Sequence, residues 1–566
     1  GEGSLGGKAR GLAFIDQIIK RHPGCENFQG IEITIPRTVV LCTDIFDEFM
    51  EMNNLYPLAL SRSADSDILK AFLNAQLPAS IVEDLKALLE AVDTPLAVRS
   101  SSLLEDSHYQ PFAGIYATYM IPSDADISRR VKMLSDAVKG VYASVFYSDS
   151  KAYMDATSNV IDQEKMAVII QEVAGSEHDG YYYPAFSGVG RSINYYPVGE
   201  EDASDGVAEV AAGLGKYIVD GGMALRFSPK HPGNVLQTST LDLALRDTQT
   251  RLCALPLDTS QTEEFTIDDS FNIRNLPIAD AAATGALRFI VSTYDANDRI
   301  IRDTDTGRGR KIVTFANVLR HGVYPLADAI DFMLTTGAYE MGRPVEIEFA
   351  GTINPKAMSE SEKGTLYWLQ MRPIVDKKEM LDDTLLDIPD SDLILRSETA
   401  LGHGLMDNIR YIVYVKPSTF DSLRNPQTAA EIGELNRYMT ENSESYILIG
   451  PGRWGSSDTA LGIPVKWPQI SGARLIVESS LPGYRIEPSQ GTHFFQNLTS
   501  FGVGYFTIDS SAGSGYFDTE WLDKQPAVFE NDSIRVVKFD TPLTIAINGR
   551  KGRGIVAKPL SDDRHS

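Results

Sequence analysis

Four groups of residues have types and spacings suited to gripping a phosphate or a metal ion. The first is Leu5-Gly6-Gly7-Lys8, just ahead of a helix-patterned stretch. Glycines let backbone approach a phosphate, a helix N-terminus favours an anion, and a lysine adds a mobile charge. It is not a Walker A loop, because Glu2 and Ala9 stand where that pattern needs glycine and a hydroxyl residue. Alone, such a segment is more often an ordinary helix start. The second group is Val98-Arg99-Ser100-Ser101-Ser102, followed by Glu105-Asp106 and Phe112-Ala113-Gly114. An arginine at a strand end can fork onto phosphate oxygens, with the hydroxyls and Gly114 lining the pocket. The plain alternative is Arg99 paired with Glu105 or Asp106 at the surface.

The third group is Glu346-Ile347-Glu348 with Gln370-Met371-Arg372. Alternate residues of a strand share a face, so Glu346 and Glu348 point together, as do Gln370 and Arg372. Paired as a hairpin, the two segments would gather two carboxylates, an amide oxygen and a guanidinium. Hard oxygens suit magnesium, whose shell nucleotide phosphates complete. An arginine beside them would balance charge during phosphoryl transfer. A solvated face laced by cross-strand salt bridges is the competing reading. The fourth group is the apolar run Met166-Ala167-Val168-Ile169-Ile170 ending at Gln171. Such a strand either leads to a hinge that reads adenine or is simply core.

The elements that must position these groups are visible as periodicities. Leu12, Ile15, Ile18 and Ile19 predict a helix over 8–20, stopped by His22-Pro23-Gly24. Residues 31–41 read as a strand interrupted at Pro36, and 66–92 and 125–155 read as helical. Strands are expected at 96–99, 165–173, 344–350 and 365–372, with a helix at 325–341. Residues 176–240 read as short strands and turns. The fold class is α/β (α+β). Domain limits are expected at 1–160 and 161–376, then a linker at 377–394 and a C-terminal α/β domain at 395–566.

A chain of 566 residues is too long for one core. Its formal charge of −25 would repel nucleic acid and anionic lipid, so neither is expected as a partner. A nucleotide site would have to be a local basic cluster. No apolar run is long enough to span a membrane, and no signal peptide is visible. Cys25, Cys42 and Cys253 fit no zinc pattern and suggest thiols in a reducing compartment, hence a cytoplasmic location. The start at Gly1 without Met suggests a piece of something longer.

Taken in order, Gly6-Gly7-Lys8, Ala97-Val98-Arg99-Ser100-Ser101, Phe112-Ala113-Gly114, Pro344-Val345-Glu346-Ile347-Glu348-Phe349 and Leu369-Gln370-Met371-Arg372-Pro373 resemble the ATP-binding domain of phosphoenolpyruvate synthase, pyruvate phosphate dikinase and rifamycin phosphotransferase. The resemblance covers roughly 4–376 and implies a two-lobed ATP-grasp fold with ATP and Mg2+ as cofactors. It implies that Lys8 and Arg99 hold phosphates and that Gly114 and Thr118 belong to a closing loop. Gln171 would sit at the adenine hinge, and Gly213-Leu214-Gly215 would lie near the nucleotide. Glu348 and Gln370, with Glu346 beside them, would bind magnesium, and Arg372 would stabilise the transferring group.

Two departures stand out. Lys216 occupies a position where the family commonly has an acidic residue, and 176–210 fits the family poorly. The family's phosphoacceptor histidine segment is absent; the nearest match is Gln490-Gly491-Thr492-His493-Phe494. His493 is therefore a candidate acceptor, although such a histidine is more often structural. The expected reaction is phosphoryl transfer from ATP to a histidine and onward to a small pyruvate-like acceptor, with further domains expected in the full-length chain. A nucleotide-binding regulatory module without turnover is the alternative, and a ligase forming an acyl phosphate is a third class. The glycine-rich Ile449-Gly450-Pro451-Gly452-Arg453-Trp454-Gly455-Ser456-Ser457 could bind an anionic or ring-bearing ligand or form a tight turn.

Overall fold

The structure, a computed structural model, describes residues 3–26, 28–102, 117–124, 126–148, 150–151, 164–258, 265–357, 362–374, 386–456, 461–481, 502–509 and 513–559. The chain divides into two compact units. The first comprises Gly1–Ser192 and Gly206–Val375; the second comprises Ile193–Asp205 and Asp376–Ser566. Both mix helices with sheets, as expected for the α+β class.

Two sheets frame the first unit. One is antiparallel, in the order Thr38–Leu41, Met166–Glu172, Leu96–Ser102, Thr118–Ile121. The other runs Ile31–Thr34, Gly364–Pro373, Val345–Gly351, Phe186–Arg191, Val207–Ala212, Leu225–Phe227. The expected 31–41 strand is in fact two, and its halves enter different sheets. Pro36 lies between them, where a residue with no N–H to give cannot continue a ladder. Strand Met166–Glu172 belongs to the first of these sheets, although the sequence reading grouped it with the second lobe.

The first sheet is apolar on both faces. Leu96, Val98, Val168 and Ile170 pack against helices Thr43–Met52, Asp65–Asn74, Ala79–Ala91 and Ile127–Ser144. Asp126 caps the last of these by accepting the N–H groups of Ser128 and Arg129. On the opposite face Ala97 and Ile169 join the core of the second sheet, together with Leu12, Ile15 and Ile18 of helix Gly6–Arg21. That helix carries the expected 3.6-residue stripe and ends where His22-Pro23 begins.

Two glycines let the helix lie this close. Gly6 has φ +71°, and a Cβ there would fall 1.9 Å from the Ser101 carbonyl oxygen. A Cβ on Gly11 would fall 2.8 Å from the Met371 carbonyl oxygen. One helix therefore touches the Arg99 strand at its start and the Gln370 strand one turn later.

In the second unit, strands His403–Val415, Tyr446–Pro451, Ala473–Ser479 and Gly504–Ile508 lie side by side and parallel. Helix Asn425–Glu441 connects the first two in sequence. Antiparallel strands Ile534–Asn548, Arg553–Ala557 and Leu393–Ser397 extend the sheet on the far side.

Candidate functional site

Cross-strand neighbours in an antiparallel sheet point to the same face, so register fixes which side chains meet. Arg99 lies opposite Thr118 and Ile169, and Gln171 lies opposite Ala97 and Thr38. Arg99, Thr118 and Gln171 therefore share the face turned away from the helical layer. In the second sheet Glu346 lies opposite Arg372 on one side and Arg191 on the other. Glu348 lies opposite Gln370.

Strict alternation would not produce that last pairing. Trp368 is fully buried in the core, opposite Phe349, and two residues on Gln370 would also face inward. A β-bulge between Glu348 and Phe349 shifts the register by one residue and re-aims Gln370 at Glu348.

The two sheets meet through Arg99. Its Nη2 donates to Glu348 Oε2 at 2.8 Å and to Gln370 Oε1 at 2.7 Å. One residue along the same strand, Ser100 Oγ accepts from Lys8 Nζ at 3.1 Å. Ser101 Oγ accepts from the Ala9 N–H at 3.2 Å and donates to the Leu5 carbonyl at 2.9 Å, seating the helix start. Arg99, Glu348 and Gln370 are thus brought together, and Lys8 reaches the residue next to Arg99 in the strand.

Glu346 is held differently. Arg372 Nε donates to its Oε1 at 2.9 Å, and Arg191 Nε donates to its Oε2 at 2.8 Å. Burial opposes its charge, but Arg372 and Arg191 outweigh that and hold its pKa below the ordinary glutamate value. Arg191 had no motif to announce it; only its register opposite Glu346 shows its part. These ion pairs set three guanidiniums against two carboxylates, a local excess of positive charge in an acidic chain.

Other expected residues are placed as follows. The Thr118 N–H donates to Asp269 Oδ2 at 3.0 Å, and Asp269 Oδ1 accepts from Lys216 at 3.1 Å. Burial works against the Lys216 charge, yet Asp269 and Asp220 raise its pKa above that of an ordinary lysine. Gln171 is buried in a central strand, its amide donating to Thr38 Oγ1 at 3.0 Å. Its backbone is laddered on both sides. Gly213 turns at φ +83°, where a Cβ would meet the Cys253 carbonyl oxygen at 2.8 Å. Gly114 and His493 lie outside the described residues.

In the second unit the described part of the glycine-rich segment runs from strand Tyr446–Pro451 through Gly452 into the short strand Arg453–Trp454. The N–H groups of Gly452, Arg453, Trp454 and Gly455 go to Ser479 O, Leu461 O, Glu478 Oε1 and Ile463 O. None of the four remains to cradle an anion.

The fit of a divalent cation can be judged from the donors. Glu348 Oε2 and Gln370 Oε1 converge on one point, which the Arg99 nitrogen occupies. A carboxylate and an amide oxygen suit magnesium when phosphates supply more of its shell. Both Glu346 oxygens are taken by guanidiniums. Among the described residues, no cluster of three His, Cys, Asp or Glu is placed to hold a metal alone.

With this geometry in view, comparison with known proteins gives the class. Residues 2–388 match the AMP/ATP-binding domain of pyruvate phosphate dikinase, and the chain belongs to that family. A stretch of 189 residues is 28% identical to an uncharacterized phosphotransferase, YvkC, of Bacillus subtilis, covering 33% of this chain and 20% of that protein. A stretch of 136 residues is 31% identical to phosphoenolpyruvate synthase of Aeropyrum pernix, covering 24% of this chain and 14% of that protein. The chain thus spans a fifth or less of these relatives. Among the described residues, no helix is long and apolar enough to cross a membrane.

Proposed function

We propose that the first unit is an ATP-grasp phosphotransferase module working on Mg-ATP in the cytoplasm. The observation that carries this reading is the convergence of Arg99, Glu348 and Gln370 beside Lys8 within a member of an AMP/ATP-binding family. Lys8 and Arg99 bind phosphate oxygens, and Thr118 and Gly213 flank the nucleotide. Glu348 and Gln370 would hold magnesium, with Arg99 turned from them to the phosphates. When bound there, magnesium would supply neutralisation of the charge developing on the phosphoryl oxygens. Glu346 serves as an anchor that fixes Arg372 toward the transferring group.

In the reaction an imidazole nitrogen attacks phosphorus, an N–P bond forms, and a P–O bond of the nucleotide breaks. The acceptor is His493 or a histidine on another segment or partner, and a pyruvate-like acid is the final acceptor. The test is incubation with radiolabelled ATP, comparing wild type, His493→Ala and Glu348→Ala. Acid-labile label on the wild-type chain, lost in both variants, supports transfer to His493. Label retained in His493→Ala moves the acceptor elsewhere. ATP that binds without ever being cleaved supports a regulatory module instead, with the Arg99 bridge across Glu348 and Gln370 as its closed state. Cleavage that a carboxylic acid stimulates, with no phosphohistidine, supports a ligase.

A further inference from the structure

The stretch that fits the family poorly contains a loop that leaves the first unit and returns to it. Strand Phe186–Arg191 ends two residues before Ile193, and strand Val207–Ala212 begins one residue after Gly206. Between them, Ile193–Asp205 is part of the second unit. The backbone thus passes between units at 192–193, at 205–206 and again at 375–376, rather than once.

The loop is stiff. Asn194 is buried; its N–H donates to the Ala203 carbonyl at 2.8 Å, and its amide nitrogen donates to Glu201 Oε2 at 2.9 Å. Glu201 Oε2 also accepts from the Val198 N–H at 3.1 Å, and Asn194 Oδ1 accepts from the Tyr196 N–H at 3.0 Å. Its tip is fastened inside the second unit. The Tyr195 ring stacks on His403 at 4.5 Å and 4°, the Tyr195 carbonyl accepts from the Gly402 N–H at 3.0 Å, and Tyr196 Oη donates to the Val503 carbonyl at 3.2 Å. His403 Nδ1 in turn accepts from the Gly549 N–H at 3.3 Å.

Its root is pinned beside the phosphate-site clamp. Ser192 exchanges two hydrogen bonds with Val345, each 2.9 Å, one through its N–H and one through its hydroxyl. Val345 precedes Glu346, and Arg191 precedes Ser192, so both partners of the Arg191–Glu346 ion pair sit at the root. At the returning end Gly206 has φ +70°, and a Cβ there would meet the Arg191 carbonyl oxygen at 2.9 Å.

We infer that Ile193–Asp205 is a transmission strap coupling nucleotide occupancy of the Arg372–Glu346–Arg191 clamp to the second unit, with Arg191 as its positioning residue. The inference rests on the ATP-binding reading above. A loop braced by its own hydrogen bonds passes displacement at its tip on to Arg191. Because coupling between sites is reciprocal, nucleotide binding must also alter the surroundings of Tyr195.

The test uses the full chain. ATP affinity is measured by calorimetry for wild type, Tyr195→Ser, Tyr196→Phe, Arg191→Met and the Tyr195→Ser/Arg191→Met double variant. Hydrogen exchange at the Gly402 and Gly549 amides is followed with and without ATP. The strap predicts that Tyr195→Ser raises the ATP dissociation constant about 5–10-fold. It predicts a smaller effect in the same direction for Tyr196→Phe, which removes one hydroxyl and leaves the ring. In the Arg191→Met background Tyr195→Ser should add less than about twofold, since the route is already cut. ATP should slow exchange at Gly402 and Gly549 in wild type and not in Tyr195→Ser. If wild type binds ATP while both tyrosine variants match its affinity and its exchange response, the strap is overturned and the ATP reading stands. A wild-type chain that binds no ATP overturns both.

Discussion

Arg99 and Glu348 are 249 positions apart in the chain and 2.8 Å apart in space. Arg99 belongs to one sheet of the ATP-binding unit and Glu348 to the other, so their ion pair measures how closely the sheets approach. Under the proposed function it also sets up an exchange of cations: the oxygens that bind the arginine would be those offered to a metal.

The exchange makes Arg99→Met informative. Charge-assisted hydrogen bonds contribute about 1.5–3 kcal/mol each. Losing the contact to phosphate should therefore raise the ATP dissociation constant at least about 10-fold. Glu348→Gln should instead spare metal-free nucleotide binding and abolish its enhancement by Mg2+. Calorimetry with and without Mg2+ checks both.

Glu346 should show itself through acid. Its folded pKa is lowered from 4.5, so the stability it contributes is fully present above that value and is lost as pH falls through the lower, folded one. Breaking a buried pair from one side is worth about 3 kcal/mol. Glu346→Gln should thus be destabilised by about that amount at pH 7, and the gap should narrow only below pH 4.5. Urea midpoints of both proteins across pH 3–7 give the curve; a gap that already closes by pH 6 contradicts the assignment.

Much of this site can be read from residue order, and the limits have physical causes. Period-two alternation placed Glu346 and Glu348 on one face, and the 3.6-residue stripe of Leu12, Ile15 and Ile18 drew the first helix. The bulge beside Glu348 left no trace, since it depends on which residues of two distant strands are paired. Arg191 was missed because a lone arginine at a strand end resembles any solvated charge. Gln171 closes the apolar run and gives its amide to Thr38 across the ladder, a partner that residue order does not name.

The seat of the first helix predicts a steric phenotype. Gly6→Ala needs a left-handed backbone with a Cβ 1.9 Å from the Ser101 carbonyl. It should cost about 2 kcal/mol or more and weaken ATP binding through Lys8. Chemical denaturation and calorimetry on one sample test both effects. Tight ATP binding in a destabilised variant would separate Lys8 from the site.

Thiol chemistry offers a further check. Cys25, Cys42 and Cys253 are buried and unpaired. Burial, aided by Glu26, pushes the Cys25 thiol up to about 11; burial, aided by Asp220, does the same for Cys253. Neither should form appreciable thiolate at pH 8, so disulfide-exchange reagents should label them only as fast as the protein opens. Labelling followed by peptide mapping in buffer and in urea gives the comparison.

The double footing of helix Gly6–Arg21 has a consequence for biosynthesis. Gly11 leaves the ribosome early, while its partner Met371 follows 371 − 11 = 360 residues later. At about 5–20 residues per second that is a wait of roughly 20–70 s. Through that interval strands Val345–Gly351 and Gly364–Pro373 are missing from the second sheet, so the apolar stripe of the helix stays partly uncovered until the last hairpin arrives.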